Sequence, residues 1–218
     1  QRDRDGVTAI VSRLPWVIGI IASVTLLLLF MLTGSVLLPI KAVILNVLSL
    51  TATFGALVWI FQDGHLGGLG TASTGTIASN MPVLMFCVAF GLSMDYEVFL
   101  LSRIREYWIN SGRTRADNDE AVALGVARTG RIITAAAVIM AISFAALIVA
   151  QVSFMKMFGT GLTIAILMDA TIIRLLLVPV FMQIMGRFNW WAPAPLSRWH
   201  ERWGLTDEPA ARAAANAS

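Results

Sequence analysis

The sequence predicts an all-α, polytopic membrane helix bundle of about five transmembrane helices with a cytoplasmic connecting helix, and three observations carry that reading. Hydrophobic residues make up 57% and charged residues 13% of the chain, against roughly 45 to 50% and 25% in a soluble domain. Five apolar segments, 16–36, 40–61, 81–101, 132–151 and 157–186, each reach the roughly 20 residues that cross a bilayer core as a helix. Arginines cluster at segment ends. The resulting net charge of +3 suits anionic lipid headgroups. No basic stripe with interleaved aromatics points to nucleic acid, so no nucleic-acid partner is expected.

Residues 1–15 read as an amphipathic lead-in: Arg2, Asp3, Arg4, Asp5 and Arg13 are polar, while Val7, Ile10, Val11 and Leu14 recur at helical spacing. The chain opens on Gln1, and no basic stretch leads into a short apolar segment with a small-residue cleavage site, so no signal peptide is read and the start is expected to be a cut. Spans one and two meet in a tight hairpin at Gly34-Ser35, where Pro39 can open the next helix and Lys41 can reach a headgroup. Residues 62–80, rich in Gly, Ser and Thr and free of Lys and Arg, form an external loop. In it His65 is expected to be a solvated surface residue, and Asn80 to cap the third span. Cys87 is expected to be a small buried core residue.

The cytoplasmic loop 102–131 carries its own helix signal, from Asp117, Asp119 and Glu120 through Ala121–Ala127 to a stop near Gly130. Span four is rich in alanine and is built to pack closely, with the third span as the expected partner. Span five is long for a straight crossing and is expected to tilt or project. Residues 187–218 form an interfacial segment, with Trp199 and Trp203 on one apolar helix face and a disordered tail from Asp207. Arg103, Arg105, Arg113, Arg115, Arg128 and Arg131, with Lys41 and Arg187, Arg198, Arg202 and Arg212, lie on one side; only Arg2, Arg4, Arg13 and Lys156 lie on the other. Basic residues favour the cytoplasmic face, so the N-terminus is placed outside and the C-terminus in the cytoplasm. Tryptophan agrees, with Trp16 and Trp59 at the outer edge and Trp108, Trp190 and Trp191 at the inner one.

The chemistry concentrates in Phe90–Glu106, which sets Asp95 inside an apolar run. An ionised Asp at membrane depth costs roughly 2.5 to 3.5 kcal/mol even on lenient insertion scales, so such residues face a bundle interior or a wet cavity and mark an ion or proton path. The plainer role, gluing helices together, needs no titratable proton and would be met by Thr, Asn or Ser. Tyr96 points about 100° away from Asp95 and can bond a carboxylate only on a neighbouring helix. Glu97 is expected to meet water or Arg103. Ser143, in span four, can hand a proton or a water towards Asp95, or can bond back to its own helix carbonyl. Asp169 and Arg174 add charge to span five, with Asp169 about 18 Å deep and level with Asp95. Five residues apart, they sit about 140° apart on an α-helix and do not make an ideal pair. If Arg174 meets Asp95 it holds it ionised; if not, Asp95 is free to load and release a proton; or Asp169 and Arg174 neutralise each other structurally.

Gly91-Leu92-Ser93-Met94-Asp95-Tyr96-Glu97-Val98-Phe99-Leu100-Leu101, continued by Ser102-Arg103-Ile104-Arg105-Glu106, closely resembles the signature of the MmpL (mycobacterial membrane protein large) transporters of the resistance-nodulation-division superfamily, and residues 169–179 resemble the family too. The resemblance implies the C-terminal transmembrane portion of a proton-driven exporter, following an extracytoplasmic domain, in a bacterial inner (plasma) membrane. It implies that Asp95 and Tyr96 are half of a proton relay, completed by an Asp-Tyr pair on the N-terminal half of the same transporter. The implied cargo is a lipid or other hydrophobic envelope molecule, and the implied partners are membrane lipids, that N-terminal half and, in some assemblies, further copies of the chain. The alternative is a non-transporting half-transporter or membrane scaffold that binds a lipid or a full-length partner.

No cofactor is expected beyond the proton gradient. Nothing resembles a phosphate-cradling glycine loop, no His, Cys and acid cluster has metal-ligand spacing, and His65 and His200 fall in opposite aqueous regions, too far apart for a hydrolytic triad. The chain is read as a secondary transporter rather than an enzyme.

Overall fold

A computed structural model describes residues 2–65 and 80–203, with side chains from 16–65 and 82–200. All regular structure in these residues is helical, and five helices are long and apolar enough to cross a membrane. In chain order they are α1 (Arg2–Thr33), α2 (Leu37–Leu57), α3 (Asn80–Ile109), α4 (Arg115–Ala145) and α5 (Ser153–Met168). The last span runs on through a π-helical segment, Asp169–Leu177, into α6 (Val178–Met185); a 3-10 turn, Gly186–Trp190, leads to α7 (Ala194–Trp203). Most of the expected external loop, the tail from Asp207 and the side chains of the lead-in, Asn80 and Trp203 lie outside the described residues.

The lead-in and the first span form one continuous helix. Its hairpin with α2 turns on Gly34, whose φ of +68° suits a residue without Cβ. Ser35 Oγ then accepts bonds from the Leu37 amide (3.2 Å) and the Leu38 amide (3.5 Å), meeting donors that a helix start leaves open.

The helix expected in the loop before span four is present and runs into that span without a break. Thr114 opens α4 with a capping box: its hydroxyl accepts from the Asp117 amide at 3.3 Å, and the Asp117 carboxylate accepts from the Thr114 amide at 2.8 Å. The helix then passes through Gly125 and Gly130 without stopping. Both glycines are buried, and at Gly125 a Cβ would stand 3.2 Å from Ile104 Cα on α3. Close approach, rather than termination, is what that glycine supplies. A second close approach lies at Gly161 on α5, where a Cβ would come 2.8 Å from Leu57 Cδ1.

The buried apolar residues, among them Leu29, Leu57, Met85, Ile104, Ile133, Leu162, Val178 and Met182, fill the space between helices. Large apolar side chains such as Ile44, Leu48, Ile139, Ile142 and Ile184 face outward, as lipid requires of a bundle with no solvent-driven core. The arginine-rich end is held by a polar clamp. Trp108 of α3 and Trp190 stack with centroids 5.1 Å apart. Trp190 Nε1 donates to Asn118 Oδ1 of α4 (3.0 Å), and Asn118 Nδ2 donates to the Met182 carbonyl (3.1 Å). Ser35 donates to the Asn189 carbonyl, so the α1–α2 turn joins the same clamp. Trp108 and Trp190 thus pack against each other rather than serve as lipid-facing anchors, while Trp16, Trp59 and Trp191 are exposed.

Candidate functional site

Two sets of charged groups occupy opposite faces of α3. Ser93 and Glu97 are four residues apart and share a face; Asp95 lies about 200° from each. The inner face meets the last span. Arg174, fully buried, donates from Nε to Asp169 Oδ2 at 2.8 Å, from Nη1 to Glu97 Oε2 at 3.3 Å, and from Nη2 to Ser93 Oγ at 2.9 Å and the Ser93 carbonyl. Ser93 Oγ donates in turn to Asp169 Oδ1 at 2.9 Å. Asp169 is 6% and Glu97 4% exposed. A guanidinium suits this place because its fixed fork can hold two acids and a carbonyl at once.

Asp169 and Arg174 neutralise each other, as one of the readings of the sequence allowed, and their geometry is better than the expected separation of about 140° gives. The estimate of 140° assumed α-helical winding, whereas residues 169–177 are wound as a π-helix. Its i→i+5 hydrogen bonding brings residues five apart towards one face, and such segments recur at functional sites. Glu97 is also corrected. It meets Arg174 inside the bundle, while Arg103 pairs with Glu106 at 2.7 Å on the surface. The four-residue spacing of Ser93 and Glu97 was a readable sign of a shared polar face.

Asp95 takes no part in this cluster. It is exposed and has no hydrogen-bond or ion-pair partner among the described residues, so Arg174 does not hold it. With Leu84, Cys87, Gly91 and Val98 it forms a stripe, at three- and four-residue spacing, along the face of α3 that the described residues leave uncovered. Cys87 is exposed there, against the expectation of a buried core residue. A Cβ built on Gly91 meets nothing within 4 Å.

Tyr96 stands between the two faces. Its ring lies 5.5 Å from Arg174 Cζ, a cation–π contact, and its hydroxyl donates to Met140 Sδ of α4 at 3.2 Å rather than to a carboxylate. Tyr96, Ser93 and Asp169 border one small cavity between α3 and α5. Ser143 is exposed and bonds back to the Ile139 carbonyl at 2.9 Å; it does not reach Asp95. His65 lies exposed on Trp59, with Nδ1 3.0 Å from the Trp59 carbonyl. No group of three or more His, Cys, Asp or Glu able to hold a metal ion occurs among the described residues.

A buried Ser-Glu-Asp-Arg cluster behind an uncovered Asp-Tyr helix is the setting in which comparison with known proteins becomes informative. The family model described as "MMPL family" matches residues 4–211. The chain belongs to the MMPL family. Among relatives of this MMPL chain, the membrane protein SCO6666 of Streptomyces coelicolor is 46% identical over 198 residues, 90% of this chain and 28% of that protein. The trehalose monomycolate exporter MmpL3 of Mycolicibacterium smegmatis is 41% identical over 204 residues, 93% of this chain and 20% of the relative. The heme uptake protein MmpL11 of Mycobacterium tuberculosis is 42% identical over 179 residues, 82% and 18% respectively. The MMPL chain therefore spans less than a third of the length of these relatives.

Proposed function

We propose that this chain is the transmembrane proton-relay module of a proton-motive-force-driven exporter of lipids or other hydrophobic envelope molecules. One observation carries the reading: Asp95 stands unpartnered halfway along an apolar helix, on a face lined by Gly91 and Cys87 that no other part of the described chain covers. A carboxylate in that position is too costly to face lipid. Its open, small-residue surface suits the close approach of another helix, and the N-terminal half of the transporter, carrying a second Asp-Tyr pair, supplies such a helix. In the low dielectric of that contact each proton gained or lost by Asp95 changes how the two helices prefer to pack. Tyr96 lies beside it and in cation–π contact with Arg174, which couples the relay to the buried cluster of Asp169, Glu97 and Ser93. That a family member is an exporter of a trehalose lipid by name supports a hydrophobic cargo. The arginine-rich end faces the cytoplasm of the bacterial inner membrane, following the positive-inside rule.

The test is export by the complete protein carrying Asp95→Asn, a neutral near-isostere. Near-complete loss of export with normal membrane insertion is expected. Export continuing at the normal rate would remove the relay.

A further inference from the structure

The buried charges of the ion cluster do not balance on Arg174 alone, because two acids, Asp169 and Glu97, face one guanidinium. Glu97 is bonded through Oε2 only; its Oε1 is buried with no hydrogen-bond partner among the described residues. On α2, which packs against both α3 and the π-helical segment, Lys41 Nζ is likewise buried and unpartnered. Lys41 and Glu97 are within electrostatic reach of each other. The charged groups acting on Glu97 are Arg174 and Asp169 from the π-helical segment and Lys41 from α2; Asp95 lies on the other face of its own helix.

A buried ammonium and a buried carboxylate oxygen are tolerated when each has a counter-charge and its remaining bonds are met. Where side chains do not reach, a few ordered waters held by several polar atoms do this. We infer that Lys41 is the second counter-cation of Glu97, joined to it by ordered water held between Lys41 Nζ and Glu97 Oε1. The site is then neutral: Arg174 and Lys41 against Asp169 and Glu97. Lys41 lies in the first two turns of α2, so the bridge extends the cluster towards the arginine-rich end and gives Glu97 two cations between which its carboxylate is shared. The inference rests on burial and charge balance and holds whether or not Asp95 drives export.

The experiment is a double-mutant cycle in the complete protein, held in lipid nanodiscs, with thermal unfolding as the readout. Glu97→Gln leaves two cations facing one acid, and Lys41→Met leaves two acids facing one cation. Combining them restores neutrality, so the double variant should melt about 2 °C or more above Glu97→Gln alone. Lys41→Met that shifts the melting temperature of the unsubstituted protein and of Glu97→Gln alike, or a double variant that melts no higher than Glu97→Gln alone, overturns the inference. Loss of the Arg174 bond does not mimic the rescue, since Lys41→Met leaves Arg174 untouched. A density map of the unsubstituted protein, fine enough to show bound water, decides the matter if the variants fail to insert. Density bridging Nζ to Oε1 is expected; a Lys41 ammonium turned out to the headgroups overturns the bridge.

Discussion

Arg174 is the residue on which the inside of the bundle most depends. It is fully buried and bonded to two acids and to Ser93. Truncating it to Met leaves Asp169 and Glu97 charged with their shared cation gone, which costs about 3 to 5 kcal/mol; thermal unfolding of the purified protein should show the loss. Arg174→Lys should recover only part of it, because a single ammonium cannot span the positions now held by Nε, Nη1 and Nη2. In the sequence, Asp169 and Arg174 stand out as charges at membrane depth, and their mutual neutralisation is among the readings the residues allow. Their close geometry, and the part Glu97 and Ser93 take in the cluster, depend on the local winding and packing rather than on the identity of the residues.

Among the elements, α3 and α4 show how a glycine can be read wrongly. Gly130 reads as a stop from sequence, and Gly125, like it, is a weak helix former among strong ones, yet the helix runs through both. Packing overrides that propensity: a Cβ at Gly125 would press on the backbone of Ile104. Gly125→Val should therefore destabilise the protein by about 1 to 3 kcal/mol, measured by thermal or denaturant unfolding. Gly91→Leu makes a contrast, because nothing among the described residues opposes a side chain there. The bundle should fold unchanged while export by the complete protein falls, if another helix closes on that face. At the start of α4, Thr114→Ala removes half of a capping box and should cost about 1 kcal/mol, seen as faster hydrogen exchange in the first turn. Ser153–Trp190 covers 38 residues in one candidate crossing, and the α-helical winding gives way within it to the π-helical segment at 169–177 and to the 3-10 turn Gly186–Trp190.

Across the whole molecule, the five crossings were legible because an apolar run long enough to span needs no knowledge of its neighbours. Which helix touches which was not, since the contacts rest on glycines, a π-helical register and two buried asparagines that hydropathy does not weigh. The clamp at the arginine-rich end is the clearest case. Trp108 and Trp190 fit an interfacial belt by position, yet they stack on one another and hold Asn118. Trp190→Ala should remove the stack and the bond together, lowering stability by about 3 kcal/mol and loosening the junction of α3, α4, α6 and the α1–α2 turn, which limited proteolysis at that end would register. The outward-facing thiol has a practical corollary. Cys87, the single sulfhydryl of the chain, lies eight residues, about 12 Å, from Asp95 along the same stripe. A membrane-permeant alkylating reagent therefore has a natural gauge to read: only a thiolate in contact with water reacts fast, so rapid modification would report a wet cleft alongside that helix, and slow modification lipid or a neighbour seated on it.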